Sequence, residues 1–76
     1  MTDTINSRPF DMLNKSLNKQ VLVLLKGSVY VRGKLKAFDV HMNIVLEDVE
    51  ELKDGKPKTK FVEALLRGDN IVLITV

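Results

Sequence analysis

Two short polar clusters hold the residues of this chain best suited to chemistry. The first is Phe38-Asp39-Val40-His41-Met42-Asn43, and the second is Arg67-Gly68-Asp69-Asn70. Together they carry an imidazole, a guanidinium, carboxamides and two carboxylates. Groups of these kinds can stack on a flat ring and hydrogen-bond its edge. The chain has no cysteine, and neither cluster contains a hydroxyl, so His41 lacks the nucleophile that covalent catalysis needs. Each cluster alone also reads as an ordinary turn. Asp and Asn bond nearby backbone N–H groups, Gly68 supplies a positive φ, and Met42 belongs to a core.

Strand-like runs bound both clusters. Gln20 to Lys26 is apolar between polar ends and predicts a buried strand, closed by a turn at Lys26-Gly27-Ser28. Over Val29 to Phe38, Val29, Val31, Leu35 and Ala37 alternate on one face. Tyr30, Arg32, Lys34, Lys36 and Phe38 take the other. Gly33 lies mid-strand, where a glycine marks a bend or a close backbone approach. A long strand that bends predicts a small barrel. Asn43 to Leu52 is a third strand and Lys53 to Lys58 a charged turn. Thr59 to Leu66 is a fourth strand and Ile71 to Val76 a fifth. Ahead of them, Ser7 caps a short helix that starts near Pro9 and shows Phe10, Leu13 and Leu17 at helical spacing. Residues 1–7 read as a flexible polar tail.

The fifth strand raises a physical question. Ile71, Val72, Leu73, Ile74 and Val76 are apolar on both faces, with no Pro or Lys to protect an edge. One face can join the core; the other needs a partner. At 76 residues the chain is one domain, and a domain of this size buries only about 60% of its unfolded surface. Without cysteine it has no disulfide or thiolate site, and one histidine builds no metal site within a protomer. Oligomerisation by strand pairing between identical subunits is the remaining remedy.

A net charge of +2 is too small for a protein that coats duplex DNA. The residues Met1 to Ser7 show no signal-peptide pattern, and Val21 to Leu25 is far shorter than the ~20 residues of a membrane span. The expectation is a cytoplasmic protein with no membrane partner.

Taken in order, the chain closely resembles the Sm/Sm-like (LSm) family, and most of all its archaeal members. Arg8-Pro9-Phe10-Asp11-Met12-Leu13 is similar to the family's N-terminal helix. Gly33, Asp39, Met42 and Asn43 are similar to the first Sm motif, and Leu66-Arg67-Gly68-Asp69-Asn70-Ile71 to the second. The resemblance spans residues 8–76. It implies a mostly β fold, with a short helix on a strongly bent five-stranded antiparallel SH3-like barrel that assembles into a ring. A homo-oligomeric heptamer is favoured, with a hexamer as the alternative. Subunits would pair through the fourth and fifth strands, by way of Leu65, Leu66, Ile71, Val72, Leu73 and Ile74.

The resemblance further implies binding of single-stranded, uridine-rich RNA at the inner rim, as a scaffold or chaperone in RNA processing. His41 and Arg67 would sandwich a uracil and Asn43 would read its edge. Asp69 would hold Arg67 or Asn43, or accept from the base. Gly68 would keep the backbone close, Met42 would pack beneath, and Asp39 would brace the loop. No catalytic residue, metal or cofactor is implied. Ala37 and Phe38 depart from the glycine and tyrosine common in the family, which disfavours a secondary site near Arg8. The Arg-Gly-Asp tripeptide also matches a cell-adhesion motif, but a match so short carries little weight.

A monomeric SH3-like interaction module is the alternative. It calls for an aromatic groove, and the chain has no Trp and only one Tyr.

Overall fold

The computed structural model describes residues 9–76. The expected tail over 1–7, the Ser7 cap and Arg8 lie outside them. A helix α1 spans Pro9–Lys15, and five strands follow: β1 Gln20–Leu25, β2 Val29–Phe38, β3 Ile44–Lys53, β4 Lys56–Leu66 and β5 Ile71–Thr75. A 3-10 turn at Gly68–Asn70 joins the last two. All pairings are antiparallel, in the order β4-β3-β2-β1-β5.

Helix α1 is short, and Leu13 is its only buried residue. Phe10 stacks on Phe38 of β2, with ring centroids 5.8 Å apart. Ser16, just past the helix, is buried and donates through Oγ to the Met12 carbonyl. Asn18 then takes a left-handed conformation (φ 66) and donates its N–H to the Leu35 carbonyl. This contact turns the chain into β1.

The core is Leu13, Val21, Val23, Val31, Leu35, Ile44, Leu46 and Val49. Burying one such side chain contributes about 1.5–3 kcal/mol. The alternation along β2 holds from Val31 to Leu35 and then reverses, because Ala37 is exposed while Phe38 packs against the core. This corrects the expected facing of both residues. Leu35 pairs with Leu46 but Ala37 pairs with Val45, so Lys36 is an extra residue on β2. Such a bulge shifts the period by one and inverts the faces beyond it.

A second bulge lies opposite Gly33. Lys34 pairs with Glu47 and Arg32 with Glu50, which leaves Asp48 and Val49 facing one glycine. Asp48 takes φ 54 to make the bend. A Cβ on Gly33 would lie 3.1 Å from the Glu47 carbonyl oxygen and 3.2 Å from the Leu46 Cβ. The glycine therefore marks a close approach, as its position mid-strand predicts.

Lys53 pairs directly with Lys56, so the β3–β4 turn is only Asp54-Gly55, both at positive φ. An Asp-Gly pair suits the type I′ geometry of a two-residue hairpin. β4 thus starts at Lys56, three residues before the expected Thr59. Pro57 is tolerated because β4 is an edge strand.

Two edges remain, β4 and β5. In a flat five-stranded sheet they would lie about 19 Å apart. The link from Leu66 to Ile71 spans at most about 17 Å when extended, and three of its residues are coiled into the 3-10 turn. The sheet must curl nearly onto itself for β5 to follow β4. That curl brings the two polar clusters together.

Candidate nucleic-acid interface

The first cluster occupies the β2–β3 connection. Asp39 is its anchor. Its Oδ1 accepts the backbone N–H groups of His41 (2.9 Å) and Asn43 (3.1 Å), and its Oδ2 accepts the Asn43 Nδ2 (3.0 Å). Met42 sits between them at φ 63 and packs against the core. The second cluster occupies the β4–β5 connection. One hydrogen bond joins the two, from the Gly68 N–H to the Asn43 Oδ1 at 2.8 Å.

Asn43 is thereby fixed in orientation. Its nitrogen faces a carboxylate and its oxygen faces an N–H, so flipping the amide would lose both bonds. Among the described residues no other group bonds the second N–H of its nitrogen or the second lone pair of its oxygen. The Asn43 bond, with the backbone bonds beside it, holds the Asp39 carboxyl below the usual carboxylate range.

Gly68 does not adopt the positive φ that its place in a turn predicts, since among the described glycines only Gly27 and Gly55 do so. Contact is what requires a glycine here. A Cβ would collide with the His41 carbonyl oxygen and come within 3.0 Å of the Met42 carbonyl. The absent side chain lets one loop lie on the other.

His41, Asn43, Arg67, Gly68 and Asp69 line one shallow, open depression. His41 and Arg67 are exposed on it. The Arg67 Nη2 lies 3.6 Å from the Asp69 Oδ2, with both side chains largely in water. A pair so exposed adds little stability and leaves the guanidinium free to stack. Asp69 has no hydrogen bond to Asn43 among the described residues; Asp39 and the Gly68 amide fill that role. Met42 lines an adjoining apolar groove between α1 and β5, which shares Gly68 with the depression.

The residues predicted for a subunit boundary divide in two. Leu66, Ile71 and Ile74 pack against the chain's own core. Leu65, Val72 and Leu73 are exposed at 65%, 57% and 44%. Phe61 and Val62 of β4, and Val76 just past β5, are exposed as well. From sequence, Val76 counts in the apolar fifth strand but Phe61 and Val62 are passed over, although these are adjacent apolar residues on a strand and so must face opposite ways. Of the basic residues Arg32, Lys34 and Lys36 on β2, two meet a side-chain partner among the described residues. Arg32 meets Glu50 at 2.7 Å, Lys60 reaches the same carboxylate at 3.7 Å, and Lys36 bonds Asn18. Among the described residues no cluster of His, Asp and Glu is placed to hold a metal. None of their helices is long and apolar enough to cross a membrane.

Comparison with known proteins bears on this arrangement. An snRNP Sm-like protein of Methanosarcina acetivorans is 48% identical over 91% of this chain and 96% of its own length. An Sm protein of Pyrococcus abyssi, solved in complex with a uridine heptamer, superposes with a TM-score of 0.88. It is 40% identical over 91% of this chain and 97% of its own. The SmAP1 heptamer of Pyrobaculum aerophilum superposes with a TM-score of 0.85, at 40% identity over 91% of this chain and 92% of its own. The sequence profile of the LSM domain matches residues 11–76. With the five-stranded bent sheet, the joined motifs and these relatives together, the chain belongs to the LSM domain, or Sm-like, family.

Proposed function

We propose that this protein forms a homo-oligomeric ring, a heptamer, that binds single-stranded, uridine-rich RNA on its inner rim. It acts by binding rather than by catalysis, as a cytoplasmic scaffold or chaperone in RNA processing and ribonucleoprotein assembly. Residues 8–76 form its one Sm-like domain. The observation that carries the reading is the Asn43 amide, clamped between the Asp39 carboxylate and the Gly68 N–H. Its free N–H can donate to a uracil carbonyl and its free lone pair can accept the uracil N3–H. Cytosine offers a donor and an acceptor in the reverse order, and a clamped amide cannot turn to meet them. His41 and Arg67 supply the two faces of the sandwich, worth about 1–3 kcal/mol per stacked base. The Pyrococcus abyssi relative with its bound uridine heptamer supports the same ligand class.

The ring reading is supported by the two unpaired edges. β4 presents Phe61, Val62 and Leu65, while β5 presents Val72 and Leu73, with Val76 just beyond it. Antiparallel pairing of β4 in one subunit with β5 in the next would satisfy both rows of backbone groups and cover these side chains. Repetition of one weak pocket on a single strand then raises overall affinity through effective concentration. The test is native mass spectrometry with an equimolar mixture of oligouridylate and oligocytidylate. A heptamer carrying mainly oligouridylate is the expected result. A monomer that binds neither strand overturns the reading.

A further inference from the structure

The two edge strands differ in length. β4 runs for 11 residues and β5 for 5. A neighbour's β5 laid on β4 therefore covers less than half of it, and an uncovered edge invites further strands. The two halves of β4 are built differently. From Phe61 to Leu66 its register against β3 is unbroken, and Phe61, Val62 and Leu65 are exposed. From Lys56 to Lys60 the register breaks, and Lys56, Lys58 and Lys60 are exposed.

The break has a fixed place. Leu52 pairs with Pro57 and Glu51 with Thr59, so Lys58 is an extra residue. Such a bulge twists an edge and interrupts its row of backbone groups. Pro57 adds a second defect. Lys53 and Lys56 flank the two-residue turn as a hydrogen-bonded pair, so the next pair, Leu52 and Pro57, exchanges no hydrogen bonds. The Pro57 nitrogen therefore faces away from β3, toward the free edge, where it has no N–H to offer.

These features answer a problem that the apolar pattern leaves open. A slip of one residue turns every side chain over, whereas a slip of two restores the same faces. The side chains alone thus do not exclude a partner strand slid toward the hairpin. A slip of two residues carries it over Lys60, and a slip of four carries it over Lys58 and the bulge. A slide the other way runs off the end of β4 at Leu66. A ring closes only when every boundary repeats one geometry.

We propose that Lys56–Lys60 is a built-in stop. It holds the β5 of a second copy to Phe61–Leu66 in one register and bars further strands from the rest of the edge. The proposal rests on the ring reading above, in which β4 of one subunit pairs with β5 of the next.

The chain has no cysteine, so the register can be read by disulfide trapping in the full-length protein. Leu73→Cys is combined in turn with Phe61→Cys, Glu63→Cys or Leu65→Cys, which share one strand face at two-residue spacing. Mild oxidation should trap one combination at about tenfold the yield of either other, a ratio that a slip cost of ~1.4 kcal/mol supplies. Pro57→Thr with Lys60→Thr and deletion of Lys58 removes the stop. The yield should then spread over two or more combinations, and sedimentation velocity should show species larger than the closed assembly. Pro57→Thr with Lys60→Thr keeps the chain length and should shift both readings the same way, which serves if circular dichroism shows that the deletion unfolds the chain. Lys58→Gln keeps the proline and the bulge and should leave the single register. One dominant combination and an unchanged assembly size in every variant overturn the stop and leave the ring reading standing. Equal yields in the chain that keeps the stop overturn it too. A monomer that traps none of the three overturns the ring reading and the stop with it.

Discussion

The joined loops and the edge strands solve opposite problems. In the loops, polar groups are answered within the chain: Asp39 accepts three hydrogen bonds, and the inner side of Asn43 is bonded on both its atoms. At the edges, β4 and β5 each have one neighbour among the described residues, and six large apolar residues on or next to them are exposed. The first region is complete in a single chain and leaves free only what a ligand can use. The second is complete only against another strand. The contrast teaches that the geometry proposed to read a base is built within one chain, while assembly is left to the edges.

The strongest way to break the loop side is Gly68→Ala. Its methyl group has no room against the His41 carbonyl, so the loops must part and the Asn43 bond is lost. A cost of about 2–4 kcal/mol is expected in denaturant unfolding, within the range of backbone-contact mutations, together with loss of oligouridylate binding. An unchanged unfolding midpoint would show that the loops can shift at no cost.

The edge side breaks differently. Leu73→Asp places a charge on the exposed face of β5 and should yield monomers by sedimentation velocity with the fold intact by circular dichroism. If assembly survives, β5 is not the joining edge.

Ligand-facing substitutions should spare both fold and assembly. His41→Ala and Arg67→Ala should each weaken oligouridylate binding by about 1–3 kcal/mol per base contacted. Asn43→Ala should in addition narrow the preference for uridylate over cytidylate. Wild-type affinity in all three would displace the site.

The smallest expected effect is pH-dependent. The Asp39 carboxyl is held below its ordinary value, so its contribution to stability is full above the unfolded pKa and is lost as pH falls through the lower folded value. Unfolding midpoints should therefore drop below about pH 4 in the wild type. In Asp39→Ala that acid-dependent part should be absent and the U-over-C preference reduced. An identical acid limb in both proteins would assign it to other groups, such as Glu50 beside Arg32.

Much of this was legible in the sequence because the strands keep a two-residue period and the turns carry Gly, Asp and Asn. All five strands and the helix lie where that pattern puts them, with β4 extended by three residues. Asp-Gly at 54–55 was visible as a turn, but that it alone forms the turn depends on Lys53 pairing with Lys56. The facing of Ala37 and Phe38 was misread because a bulge is a property of two strands, and one strand's residues do not disclose it.

By itself the sequence determined which residues are polar joints, which are strands, and that one strand is too apolar to be left unpaired. These follow from composition and period, which are local. Only the tertiary structure decided that Gly68 is needed for contact rather than for φ, and that Asp39 and not Asp69 holds Asn43. Each of these depends on groups distant in the chain, brought together by the curl of the sheet. A short link between its two edges leaves that sheet no flat alternative.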